Sequence, residues 1–110
     1  MANAAMRRSE RVLLDVPVFL LGVSADHQSF REETFTVTVS AHGALVMLQT
    51  KVALGQKVTL ANPENWDERA ARVAHVGGDH AGLAQVGIEF EQPAPQFWPV
   101  SPPPANWTAR

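Results

Sequence analysis

Cysteine is missing from this 110-residue chain. Its absence excludes disulfide bridges, thiolate metal centres and a thiol nucleophile, and it suits a reducing compartment. An excess of positive charge is missing too: nine Lys and Arg against eleven Asp and Glu leave a formal net charge of −2. No global basic field therefore recruits DNA, RNA or an anionic membrane, and any anion site must be local. No apolar run approaches the roughly 20 residues that span a bilayer. Arg7-Arg8 followed by Val12-Leu13-Leu14 and Val18-Phe19-Leu20-Leu21 superficially suggests an export signal, but Asp15 and Pro17 interrupt it with a charge and a helix breaker. The expectation is a cytoplasmic protein without membrane insertion, in which the Asn106-Trp107-Thr108 sequon has no meaning. Catalytic frames are absent as well. There is no G-x-S-x-G elbow and no H-E-x-x-H pair, and His75 and His80 simply flank what reads as a turn, so neither an enzyme nor a metal site is expected.

What is present reads as one folded domain. The chain is 45% hydrophobic and 18% charged, enough apolar surface for a core and too little charge for disorder. Its clearest local pattern is Val37-Thr38-Val39-Ser40-Ala41-His42-Gly43-Ala44-Leu45. Phe35, Val37 and Val39 alternate with Thr34, Thr36 and Thr38, the period of two of a half-buried strand. Ser40 to Gly43 then breaks the run with turn residues, and Ala44-Leu45-Val46-Met47-Leu48 resumes it, which predicts a hairpin.

Further strands are predicted over Arg11 to Leu21, with Pro17 at an edge or bulge, over Val58 to Ala61, over Arg69 to Val76, and over Ala84 to Phe90. Ser24 to Glu33 is polar and reads as a loop, and Gly77-Gly78-Asp79-His80 as a turn. Six short strands, with no convincing amphipathic helix and no internal repeat, predict an all-β antiparallel barrel or sandwich. Residues 1–10 lack apolar periodicity and read as a flexible segment. Six of the eight prolines fall from Pro93 to Pro104, so 93–110 is expected to be an irregular tail rich in Pro and Trp, with Phe97, Trp98 and Trp107 packing on the barrel as a lid.

Two weak signals combine. Arg7 and Arg11 stand in R-x-x-x-R spacing with Arg8 between them, and a guanidinium can clamp phosphate or grip the O6 and N7 acceptors of guanine bidentately. Ser40 precedes Gly43 by three at a strand end, where a hydroxyl and freed backbone groups can read a base edge. His42 reads as a turn residue rather than a ligand.

An arginine pair ahead of the first strand, an x-x-S-x-x-G turn, and a closing Val86-Gly87-Ile88-Glu89-Phe90 together resemble the PilZ domain, a bacterial six-stranded β-barrel that binds cyclic di-GMP. The resemblance covers about residues 6 to 92 and implies a barrel over 11–92. It implies that Arg7 and Arg11 hold guanine edges and phosphates from a segment that orders on binding, with Arg8 assisting at a phosphate. Ser40 would contact the ligand and Gly43 would keep the turn tight. Thr38 departs from the family pattern, which has Asp or Asn at that place; losing such a contact costs about 1–3 kcal/mol, roughly ten- to a hundred-fold in affinity. Two functions therefore stand side by side. One is a cyclic di-GMP receptor that uses no other cofactor, and the other a degenerate domain working through protein contacts, with the aromatic tail as partner surface. Either way, output through a protein partner or through a homodimer is implied.

Overall fold

The computed structural model describes residues 9–24 and 26–108. Seven strands follow one another: β1 (Val12–Leu13), β2 (Pro17–Val23), β3 (Ser29–Ser40), β4 (Gly43–Leu48), β5 (Lys57–Ala61), β6 (Glu68–His80) and β7 (Leu83–Phe90). They pair antiparallel in the order β3-β2-β5-β6-β7-β4, and β4 pairs back onto β3, so six strands close into a barrel. Closure leaves that ring without a free edge. A 3₁₀ turn (Pro95–Phe97) and a single-turn helix, α1 (Ala105–Thr108), are the only helical elements among the described residues.

β1 is the extra strand. It lies along the same edge of β3 that β2 uses, with Val12 opposite Val39, Leu13 opposite Thr38, and Pro17 opposite Phe35. The single strand expected over Arg11 to Leu21 is thus two strands in line, interrupted at residues 14–16. Pro17 opens β2, the one place where a missing N–H costs no ladder bond. The buried Thr36 hydroxyl fills the gap, accepting from the Val16 N–H at 3.1 Å and donating to the Leu14 carbonyl at 2.5 Å.

That gap reverses the phase of β3. Thr34 and Thr36 face the core and Phe35 is 55% exposed, opposite to what the apolar alternation suggests. The register shifts between Thr36 and Thr38, leaving Val37 as an extra residue, after which Val39 turns inward. A bulge of one residue moves every later side chain to the other face. Threonine tolerates the inward phase because its methyl packs while its hydroxyl bonds backbone; Thr34 donates to the Met47 carbonyl at 2.5 Å.

Two more expectations are corrected. Residues 29–33 are strand rather than loop: the Ser24 N–H donates to the Gln28 carbonyl at 2.7 Å to close the β2–β3 hairpin, and Val23 pairs with Ser29. Arg31, Glu32 and Glu33 hide the strand because its tip projects into solvent, where Glu32 accepts from the Gln49 and Thr50 N–H groups at 2.7 and 3.0 Å. Likewise β6 runs through Gly77 and Gly78, which occupy a register irregularity, and the chain reverses at Ala81-Gly82, at φ 56° and 85°. Positive φ at both central residues is the two-residue hairpin geometry matched to strand twist.

The core is built from alternate residues of the six ring strands, with Leu20, Val46, Leu60 and Val73 fully enclosed. One end is closed by aromatics that follow β7. Phe97 and Trp98 pack on Phe90 with ring centroids 5.5 and 5.9 Å away, and Trp107 is 4% exposed.

Candidate functional site

The β3–β4 turn is shaped by its own side chains. Ser40 and Gly43 are paired across it, the Ser40 hydroxyl accepts from the His42 N–H at 3.2 Å, and the Trp98 indole N–H donates to the Ser40 carbonyl at 2.8 Å. Gly43 is required by a close approach. Its Cα faces β7 with φ 157°, and a Cβ there would lie 1.8 Å from the Ile88 carbonyl oxygen and 2.9 Å from its carbon. Only glycine lets β4 pair with β7 at that point.

Register carries this turn into a larger surface. On the outer face, Thr38 lies opposite Leu45, Leu45 opposite Gly87, and Gly87 opposite His75, forming one row across β3, β4, β7 and β6. The next row holds Ser40, Gly43, Glu89 and Arg72, with Arg72 donating to Glu89. Gly43 and Gly87 leave a floor without side chains, and the His75 side chain presses against Gly87, whose Cβ would sit 3.1 Å from that of His75. With Ser9, Arg11 and Gln85 on its rim, this floor belongs to an open cleft of about 770 Å³, within the range of small-molecule sites. From Thr38 to His75 the row crosses three inter-strand steps, about 14 Å.

The segment entering the cleft is tied down from two sides. Ser9 Oγ lies 2.9 Å from His42 Nδ1 and is buried. The Glu10 N–H donates to Asn106 Oδ1 at 3.0 Å, and the Trp107 indole N–H donates to the Glu10 carbonyl at 2.6 Å. The Ala94 N–H donates to the Ala41 carbonyl at 2.8 Å. The residues after β7 therefore hold both the segment just before β1 and the hairpin turn.

Arg11, Thr38, Ser40 and Gly43 all line the cleft, although Arg11 is distant from the others in sequence. Arg7 and Arg8 lie outside the described residues. Ser9, Gln85 and Glu89 line it as well without any signal in the sequence, and so do His42 and His75, which the sequence presents as turn residues rather than ligands. Their membership follows from strand register; only the match of Gly87 to Gly43 in residue type hinted at it. One expectation fails: Phe97, Trp98 and Trp107 are 3–4% exposed, so the tail aromatics form core and not a free partner surface. Among the described residues no helix is long and apolar enough to cross a membrane.

No curated protein matches the chain. Among solved structures it is similar to the Bacillus subtilis inhibitor of motility, MotI/DgrA, with a TM-score of 0.57 and 18% identity. That likeness covers 80% of this chain and 44% of the other, so the chain spans under half the length of that protein and shares its fold there. The PilZ domain family model matches residues 6–96, a stretch that takes in the arginine segment, the S-x-x-G turn, the whole barrel and the start of its aromatic cap. The chain belongs to the PilZ domain family.

Proposed function

We propose that this domain is a receptor for cyclic di-GMP and that the cleft beside the β3–β4 turn is its binding site. The reading rests on one observation above all: Arg11, from the segment before β1, and Ser40, from the β3–β4 turn, open onto the same glycine-floored cleft. Arg11, with Arg7 and Arg8, supplies fixed positive charge and planar donor forks for phosphates and guanine edges. Ser40 supplies a hydroxyl and a turn backbone at the base edge. The His75 ring, about 14 Å from Thr38, offers a face on which a second base can stack. A ligand with two purines suits that length better than a mononucleotide does.

The relay runs through the chain's two ends. Ordering of the arginine segment on the ligand pulls on Ser9 and Glu10, which are bonded to His42, Asn106 and Trp107. A partner protein reading that surface receives the signal. The domain thus acts as a regulatory binding module and not as an enzyme, and its place of action is the cytoplasm of a bacterium.

Thr38 favours a second reading, a domain that has lost the nucleotide and acts through protein contacts alone, since a hydroxyl cannot present the two-point edge of an amide or carboxylate. Calorimetric titration with cyclic di-GMP, with GTP and cyclic GMP as controls, separates the two. Micromolar or tighter binding that is lost in Arg11→Ala supports the receptor; no heat and an unshifted NMR spectrum support the second reading.

A further inference from the structure

β2 is apolar on both faces. Val18 and Leu20 point into the core, while Pro17, Phe19, Leu21 and Val23 form a stripe along the outside. A strand that reads as continuously hydrophobic is normally covered on both sides. Here the outer side stays open: Pro17, Phe19 and Leu21 are half-buried, Val23 is 45% exposed, and the neighbouring Phe35 is 55% exposed.

Trp66 extends the stripe. Its ring stacks on Phe19 at 6.0 Å and 5°, yet it remains 60% exposed. Its backbone sits at φ 59°, rare for a bulky side chain. The turn enforces that conformation. The Trp66 N–H donates to the Asn62 carbonyl at 2.7 Å, the Asn62 N–H to the Asp67 carbonyl at 2.9 Å, and the Asp67 N–H to Asn65 Oδ1 at 2.9 Å. On the other flank the Arg31 guanidinium lies 4.3 Å from the centre of the Phe19 ring. A row of Trp66, Phe19 and Arg31 is thus held in place across the outer surface, and β2 contributes no residue to the nucleotide cleft.

The charges beside the stripe match themselves. Arg31 and Glu33 are both exposed on β3, two residues apart and so on one face, opposite Leu21 and Phe19. A two-fold axis lying between two such faces and crossing β3 at Glu32 sets Arg31 of each copy against Glu33 of the other, while the apolar stripes meet between them. We propose that the outer face of β2 and β3 is where a second copy of this chain docks, forming a two-fold dimer. The contact is self-complementary in both charge and apolarity, which a surface made for an unrelated partner has no reason to be.

Sedimentation velocity of the full chain from 5 to 500 µM, without nucleotide, tests this. The chain should associate to dimer within that range. Arg31→Glu and Glu33→Arg, both at exposed positions, should each weaken association at least tenfold by placing like charges together, and the double variant should restore it. Phe35→Glu should give monomer with an unchanged melting temperature. A chain that stays monomeric at 500 µM overturns the proposal, as does a dimer that none of these substitutions affects. Neither result touches the nucleotide reading, whose β3 residues, Thr38 and Ser40, lie at the far end of that strand from Arg31 and Glu33.

Discussion

Replacing Gly43 with alanine adds one methyl group at the point where β4 and β7 come closest. The new carbon would stand 1.8 Å from the Ile88 oxygen, 2.9 Å from the Ile88 carbon and 3.1 Å from the Glu89 Cα. All three are backbone atoms, so no side chain can swing away. An ordinary contact requires the strands to separate by more than 1 Å, which breaks the Gly43–Glu89 pair and strains the 2.8 Å bond from the Phe90 N–H to the His42 carbonyl. Overpacking costs about 1–3 kcal/mol and a side chain at φ 157° adds about 1–2 kcal/mol, so a loss near 4 kcal/mol is expected. Against a total stability of about 5–15 kcal/mol, that lowers the melting temperature by about 15 °C. Thermal unfolding followed by circular dichroism measures it, with Gly78→Ala as control, because nothing lies within 4 Å of a Cβ there. The control should melt within about 3 °C of the parent. A Gly43→Ala protein that melts as close to the parent as the control does refutes the reasoning and leaves the glycine of the motif to be explained by the ligand alone.

Other substitutions probe the remaining contacts. Thr36→Val keeps the shape but removes the hydroxyl that satisfies Val16 N–H and Leu14 C=O; it should cost about 2–4 kcal/mol in urea unfolding, while Thr36→Ser should cost less than half of that. Trp98→Phe removes the donor to the Ser40 carbonyl, and a loss of about 1–2 kcal/mol should accompany weaker nucleotide binding because the turn is no longer pinned. Thr38→Asn restores a two-point amide at the cleft, and calorimetry should read about a tenfold gain in cyclic di-GMP affinity.

Much of the barrel was legible in the sequence where side chains alternate cleanly. Val86, Ile88 and Phe90 read as one buried face of a strand and are one. The hairpin at Ser40 to Gly43 was legible because turn residues and β-branched runs pointed to the same place. β3 was misread in phase, since threonine satisfies either face and a bulge at Val37 leaves no mark in composition. Its charged tip reads as loop for a related reason: a projecting hairpin end needs no apolar partner. The site divided in the same way. Arg11 stands in one motif and Thr38, Ser40 and Gly43 in the other, but His75 and Gln85 join them only through the register of β6 and β7, which depends on irregularities at residues 73–79 that the sequence shows only as a pair of glycines. The tail aromatics are legible as a lid, and their burial removes Phe97, Trp98 and Trp107 as docking side chains.

The most direct test of the account is calorimetric titration of the full chain with cyclic di-GMP beside the Arg11→Ala variant. The account predicts micromolar or tighter binding to the parent chain, at least tenfold weaker binding to the variant, and no response to GTP. Absence of heat with the parent chain, together with an NMR spectrum unchanged by the nucleotide, would contradict it.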